Sequence, residues 1–268
     1  MLLLLSVALA SPKSFTRDFA AALETAFPEC TAVPAGKLML AVTCEGGDEL
    51  SLRIVQLYGT CRANPAVCAA ERSGFLRSFD EALHPTPPTV DRVIPGVRPR
   101  SVLEGAPGEK VYSEAFGGDL VVVYLVDSPT TMRYLNRDEL SGLGVAPVDL
   151  LATTRPNVKS MVSGLEVEQR GPLLWVTGSV YASSILLETS FWERLSSAHG
   201  EVYAAAPARD VLLVLGTEAA DDKAPELLRL AAAAVVSDPS TIGAMTADVF
   251  HWKAGVWELQ AAPGKPGR

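Results

Sequence analysis

Between residues 90 and 260 the densest polar set is Arg98, Asp127, Arg133 and Asp210, each at or beside a segment that reads as a strand end. Strand ends are where loops gather into sites. Arginines there can grip an acidic group through paired N–H donors while carboxylates hold the arginines in place. The local alternative is that Asp127 and Asp210 shape turns by accepting nearby backbone N–H groups.

Other chemistry is poorly supported by the residues. The three histidines, His84, His199 and His251, are scattered, and none has a second ligand type at metal-binding spacing. No G-x-S-x-G elbow, dinucleotide fingerprint or Walker lysine occurs, and Gly142-Leu-Gly144 precedes a helix without following a strand. The expectation is therefore no metal, no cofactor and no familiar catalytic constellation. Trp252 and Trp257 in the last hairpin, with Trp192, read either as partner anchors or, in preference, as core packing.

All four cysteines, Cys30, Cys44, Cys61 and Cys68, lie in the first quarter of the chain. An even count in one lobe suggests disulfides. Three pairings exist, and near neighbours favour Cys30–Cys44 with Cys61–Cys68. Seven helical steps would hold two Cα atoms about 10 Å apart, beyond disulfide reach. The second pair therefore requires Asn64-Pro65 to interrupt the helix. A zinc site is the rival, but no C-x-x-C spacing supports it.

The first ten residues are an apolar run ending Ala8-Leu9-Ala10, a small-x-small pattern like that of signal cleavage, although no positive charges precede it. With the cysteines this points to an extracytoplasmic location, the periplasm or the exterior; the alternative is a cytoplasmic protein with a buried N-terminal segment. The run is too short to span a bilayer. The chain has 268 residues, is 48% hydrophobic and carries a net charge of −8 without a basic stripe. It is long enough for a sizeable core, and nucleic acid is not an expected partner.

The elements that must position these residues read as follows. Phe15, Phe19, Leu23 and Phe27 recur at four-residue intervals on one helical face. Strands over 37–44 and 50–56 form a hairpin, and a helix runs over 66–83. These make a helix-hairpin-helix lobe over 14–84, and the prolines of 84–88 mark its boundary. Beyond them, strands are expected over 90–97, 119–126, 165–167, 173–180, 201–205, 211–215, 249–252 and 256–259. Helices alternate irregularly with these strands: one after an Asn136 cap, one over 147–161, one carrying Ile185 to Leu195 and stopped by Gly200, and one after Asp221-Asp222. Irregular alternation indicates α+β, with mixed or antiparallel sheets and packed helices in two lobes. Residues 261–268 read as a flexible tail.

Several blocks within 90–260 carry a family likeness. They are Val93-Ile-Pro-Gly-Val-Arg98, Tyr124-x-x-Asp127 with Arg133-Tyr-Leu135, Leu143-Gly-Val145 with Leu150, Ala152 and Asn157, and Tyr181-Ala-Ser-Ser-Ile-Leu186 with Pro207-x-x-Asp-Val-Leu212. In order and spacing this region resembles the YtpQ-like family, bacterial proteins with a domain of unknown function. The resemblance implies an α+β fold and no particular activity. The family typically has an acid where this chain has Tyr181.

The functional expectation is an exported, non-catalytic binding, adaptor or chaperone-like module. Its partner would be another protein or a small acidic ligand. The alternative is a hydrolase or transferase with an unfamiliar carboxylate and arginine site around Asp127 and Asp210. A deep polar cleft joining those two residues would favour the enzyme.

Overall fold

The computed structural model describes residues 11–47, 50–104, 110–128, 132–161, 164–217 and 223–261. The apolar start at 1–10, the Asp221-Asp222 cap and the tail from 262 lie outside the described residues. The fold is α+β, with three antiparallel sheets and packed helices, and the chain divides into two units, 1–86 and 87–268.

In the first unit, Ser11 caps α1 (Pro12–Ala26) through a 3.2 Å bond from the Ser14 N–H to its hydroxyl. The four-residue repeat then works as expected: Phe15, Phe19 and Leu23 are buried, with Phe27 just beyond the helix. They pack on a three-stranded sheet, β1 (Cys30–Gly36), β2 (Met39–Cys44) and β3 (Leu50–Arg53). The sequence reading missed β1, and it extended β3 into residues that begin α2 (Val55–Ala63). A short 3-10 turn over Pro65–Val67 then separates α2 from α3 (Cys68–Leu83), where one helix was expected to begin at 66.

Both favoured disulfides are present. Cys30–Cys44 ties directly opposed residues of β1 and β2, with Cα atoms 3.9 Å apart. Cys61–Cys68 brings Cα atoms to 4.5 Å. An unbroken helix forbids that distance, and the turn at Asn64-Pro65 permits it.

In the second unit a four-stranded sheet contains β4 (Val93–Pro99), β5 (Ser113–Gly117), β6 (Leu120–Asp127) and β7 (Met132–Tyr134). A six-stranded sheet contains β8 (Glu166–Arg170), β9 (Leu173–Thr177), β10 (Glu201–Ala208), β11 (Val211–Thr217), β12 (Val249–Lys253) and β13 (Val256–Gln260). Its strand order is β13-β12-β10-β11-β9-β8. The sequence reading had missed β5, and β9 ends at Thr177.

Side-chain alternation divides each central strand between two cores. On β10, Val202, Ala204 and Ala206 join the main core with Trp192, Trp252 and Phe250. Tyr203 and Ala205 point to the other face, where Leu228 and Ala232 of a helix, Ala224–Ser237, cover them. Strands buried on both faces read as continuous apolar runs, which is why β6 and β10 were legible. Two further helices, Leu150–Met161 and Thr189–His199, complete the unit and are called α4 and α5, with Ala224–Ser237 as α6.

Trp192, Trp252 and Trp257 meet edge to face, with centroids 4.7 and 5.1 Å apart. The indole N–H groups of Trp192 and Trp257 donate to the Ile185 and Leu186 carbonyls, both at 2.8 Å. This is core packing with the polar edge of each ring satisfied, as the preferred reading had it. Among the described residues no helix is long and apolar enough to cross a membrane.

Candidate functional site

The site is built on the outer face of the four-stranded sheet. Along β6, Leu120, Val122, Tyr124 and Val126 enter the main core, while Val121, Val123 and Leu125 face the opposite way. Register extends this division to the neighbours. Ile94, Gly96 and Arg98 of β4 lie opposite Leu125, Val123 and Val121, and Met132 and Tyr134 of β7 lie opposite Asp127 and Leu125. Arg98, Asp127, Met132 and Tyr134 therefore share the outer face. Tyr181, leading into a 3-10 helix over Ala182–Leu187, packs there with Ile94, Leu125 and Val158 of α4.

Arg98 is buried to 5% exposure. Burial is the main influence on its guanidinium and lowers its pKa; Tyr134, which also hydrogen-bonds it, and Tyr181 oppose that effect, and the charge of Arg209 reinforces it. Nη1 donates to the Val97 carbonyl at 2.8 Å. A Cβ on Gly96 would stand 3.5 Å from both Arg98 Nη1 and Ser184 Oγ, and 3.1 Å from Leu125 Cδ1. Glycine at 96 leaves that room to the two polar groups.

Tyr181 joins Arg98 to Asp127 electrostatically. Its phenol is pushed up to about 12, chiefly by burial and then by the Asp127 charge, with Arg98 pulling the other way. The neutral hydroxyl contacts Met132 Sδ at 2.8 Å. Ser183 Oγ donates toward the Arg209 and Val97 carbonyls, at 3.0 and 3.3 Å, linking the 3-10 helix to the β10–β11 turn and to β4.

Beside this centre is a pocket of about 260 Å³ lined by Asp91, Arg92, Ile94, Asp127, Ser128, Asn157, Ser160 and Met161. Its walls are held by their own hydrogen bonds. Arg92 Nε donates to the Asp127 carbonyl at 3.0 Å, and Asn157 Nδ2 donates to the carbonyls of Val90 and Val93, both at 2.8 Å. Two carboxylates against one guanidinium leave the lining acidic.

Of the four residues read from sequence, Arg98 and Asp127 are brought together around Tyr181. Arg133 is not: it lies opposite Val126, on the other face, and makes a two-pronged pair with Glu139 at 2.7 and 2.6 Å. Asp210 sits in the β10–β11 turn and is not among the residues lining the pocket. The neighbouring Arg209 reaches the Arg98 centre instead. The expected carboxylate clamp on the arginines takes a different form, since Glu139 holds Arg133, and Arg98 has no carboxylate at ion-pair distance among the described residues.

Sequence reasoning missed Tyr134, Ser184 and Arg209 as members of this centre. Period-two alternation along Met132–Tyr134 separates Tyr134 from Arg133, but only once the facing strand is known. The histidines are dispersed: His84 meets Asp80 on the surface, and His251 pairs with Glu201 while stacking on Tyr203. Among the described residues no group of three potential metal ligands converges. No family model, curated protein or solved structure matches the chain.

Proposed function

We propose that this chain is an exported, non-catalytic binding module of adaptor or chaperone-like type that seats a basic group of a partner protein in the Asp91–Arg92–Asp127 pocket. The observation that carries this reading is the acidic lining on a wall already fixed by Arg92 and Asn157. A preorganised acidic recess favours a lysine or arginine side chain and loses little entropy on binding it. Two disulfides in the first unit support an oxidising, extracytoplasmic compartment. For residues 90–260, membership of the YtpQ-like family is retained as part of the proposal.

A deep polar cleft joining Asp127 and Asp210 would favour the enzyme alternative. The pocket includes the first and not the second, which favours binding over paired-carboxylate catalysis. A photo-crosslinking residue at Ser128, used in the native envelope, tests the reading. The expected result is a discrete protein adduct that disappears in Asp127→Asn. An adduct unchanged by Asp127→Asn would contradict it, as would none at all.

A further inference from the structure

Arg98 and Arg209 lie close enough to repel one another, yet among the described residues neither has a carboxylate at ion-pair distance. Two polar atoms beside them are buried without a hydrogen-bond partner, Ser184 Oγ and Arg209 Nε. Ser184 is fully buried, and Arg98 nearly so. Buried charges are ordinarily paired and buried donors ordinarily satisfied, so an orphaned hydroxyl beside the buried Arg98 guanidinium, which the charge of the half-buried Arg209 also acts on, calls for an anion.

Three elements converge to make this arrangement. β4 supplies Arg98, the Ala182–Leu187 helix supplies Ser184, and the β10–β11 turn supplies Arg209. Ser183 ties the three by donating its hydroxyl toward the Arg209 and Val97 carbonyls. Gly243, at φ +73°, backs the Arg209 side chain so closely that a Cβ would lie 3.0 Å from Cδ and 3.2 Å from Nε. The Arg209 N–H also donates to the Gly243 carbonyl at 3.1 Å. The guanidinium is thus held from behind, and its orphaned Nε belongs to a positioned side chain.

We propose that Arg98, Ser184 and Arg209 form a seat for one carboxylate group, supplied by a small carboxylic acid or by the C-terminus of a peptide. A planar carboxylate matches the forked donors of arginine, and its single charge suits a centre that also has Asp127 nearby beside Tyr181. Leu125 Cδ1 at the Gly96 face provides an apolar wall for the carbon attached to that group. The seat is independent of the pocket reading: it takes an anion where the pocket takes a cation, and the two use different side chains.

Titration of the intact protein with ¹³C-acetate, at constant ionic strength held with chloride, reads the seat directly. The expected result is saturable binding that weakens about tenfold or more in Arg209→Gln and in Ser184→Ala. Both variants leave the buried Arg98 in place, and their folding is checked by circular dichroism. Arg98→Met, where it folds, abolishes binding. A peptide with a free C-terminus and its amidated counterpart separate the sources: competition with acetate by the free form alone assigns a peptide terminus, and competition by neither assigns a small acid. Absence of saturable acetate binding, or equal binding by wild type, Arg209→Gln and Ser184→Ala, overturns the proposal and leaves water as the partner of Ser184. Asp127→Asn abolishes neither acetate binding nor its saturation, so failure of the pocket reading is distinguished from failure of the seat.

Discussion

Arg133 and Glu139 form a two-pronged ion pair, and Glu139 also accepts the backbone N–H of Asn136 at 2.9 Å. One carboxylate thereby closes the cap of a 3-10 helix over Arg137–Leu143 and anchors β7. Burial pushes the Glu139 pKa up, but the hydrogen bonds from Arg133 and Asn136, with the Arg133 charge, outweigh it and leave the pKa lowered.

A lowered folded-state pKa stabilises above the ordinary carboxylate range, and that contribution is lost as pH falls through the folded value. Arg133→Ala should therefore cost about 1–2 kcal/mol near pH 7, allowing for part exposure of the pair. The difference in urea midpoint between wild type and variant should shrink below about pH 4. A difference independent of pH would show that Arg133 acts through packing alone.

The tyrosines respond at the other end of the pH scale. Tyr181 is pushed up to about 12, and burial with the Glu114 hydrogen bond raises Tyr124 as well. A raised folded-state value stabilises fully below the ordinary phenol pKa of about 10 and is lost as pH climbs through the folded value. Ultraviolet titration should show phenol ionisation continuing to about pH 12. Tyr181→Phe should remove one late-titrating phenol without altering the earlier ones.

How much of this was legible in the sequence follows from what each pattern records. The helical repeat at Phe15, Phe19 and Leu23 and the two-faced apolar run of β6 report burial, which the sequence encodes directly. The break at Asn64-Pro65 followed from disulfide reach alone. β1 was not legible because Pro34, Gly36 and a mostly exposed outer half dilute its strand signal, and its pairing with β2 is a tertiary fact. In the site, charges beside strand ends were found, but their faces were not. Arg133 and Tyr134 are adjacent in sequence and opposite in space, and Arg209 joins the centre where Asp210 was expected.

The disulfides should act on one unit. Cys30–Cys44 closes a separation of 14 residues, for which chain entropy suggests about 3 kcal/mol. Reduction should accelerate amide exchange in α1 and β1–β3 while leaving β10 and β11 protected. Equal loss in both units would show that they unfold as one.

The tryptophan cluster makes a separate test of the core. Trp192 is fully buried, and Trp192→Ala should cost about 3–5 kcal/mol. Trp175, half-buried beneath Arg170 at 4.4 Å, should dominate iodide quenching. Trp175→Phe should leave fluorescence that iodide scarcely quenches; strong residual quenching would place another indole at the surface.

The pocket beside Asp127 is tested most directly by titrating isotope-labelled protein with a dilysine peptide and following backbone amide signals. Saturable shifts should appear at Arg92, Ser128 and Asn157 and be lost in Asp127→Asn, with no response to a diglutamate peptide. No saturation, or the same saturation in Asp127→Asn, would contradict the assignment of this pocket as the binding site.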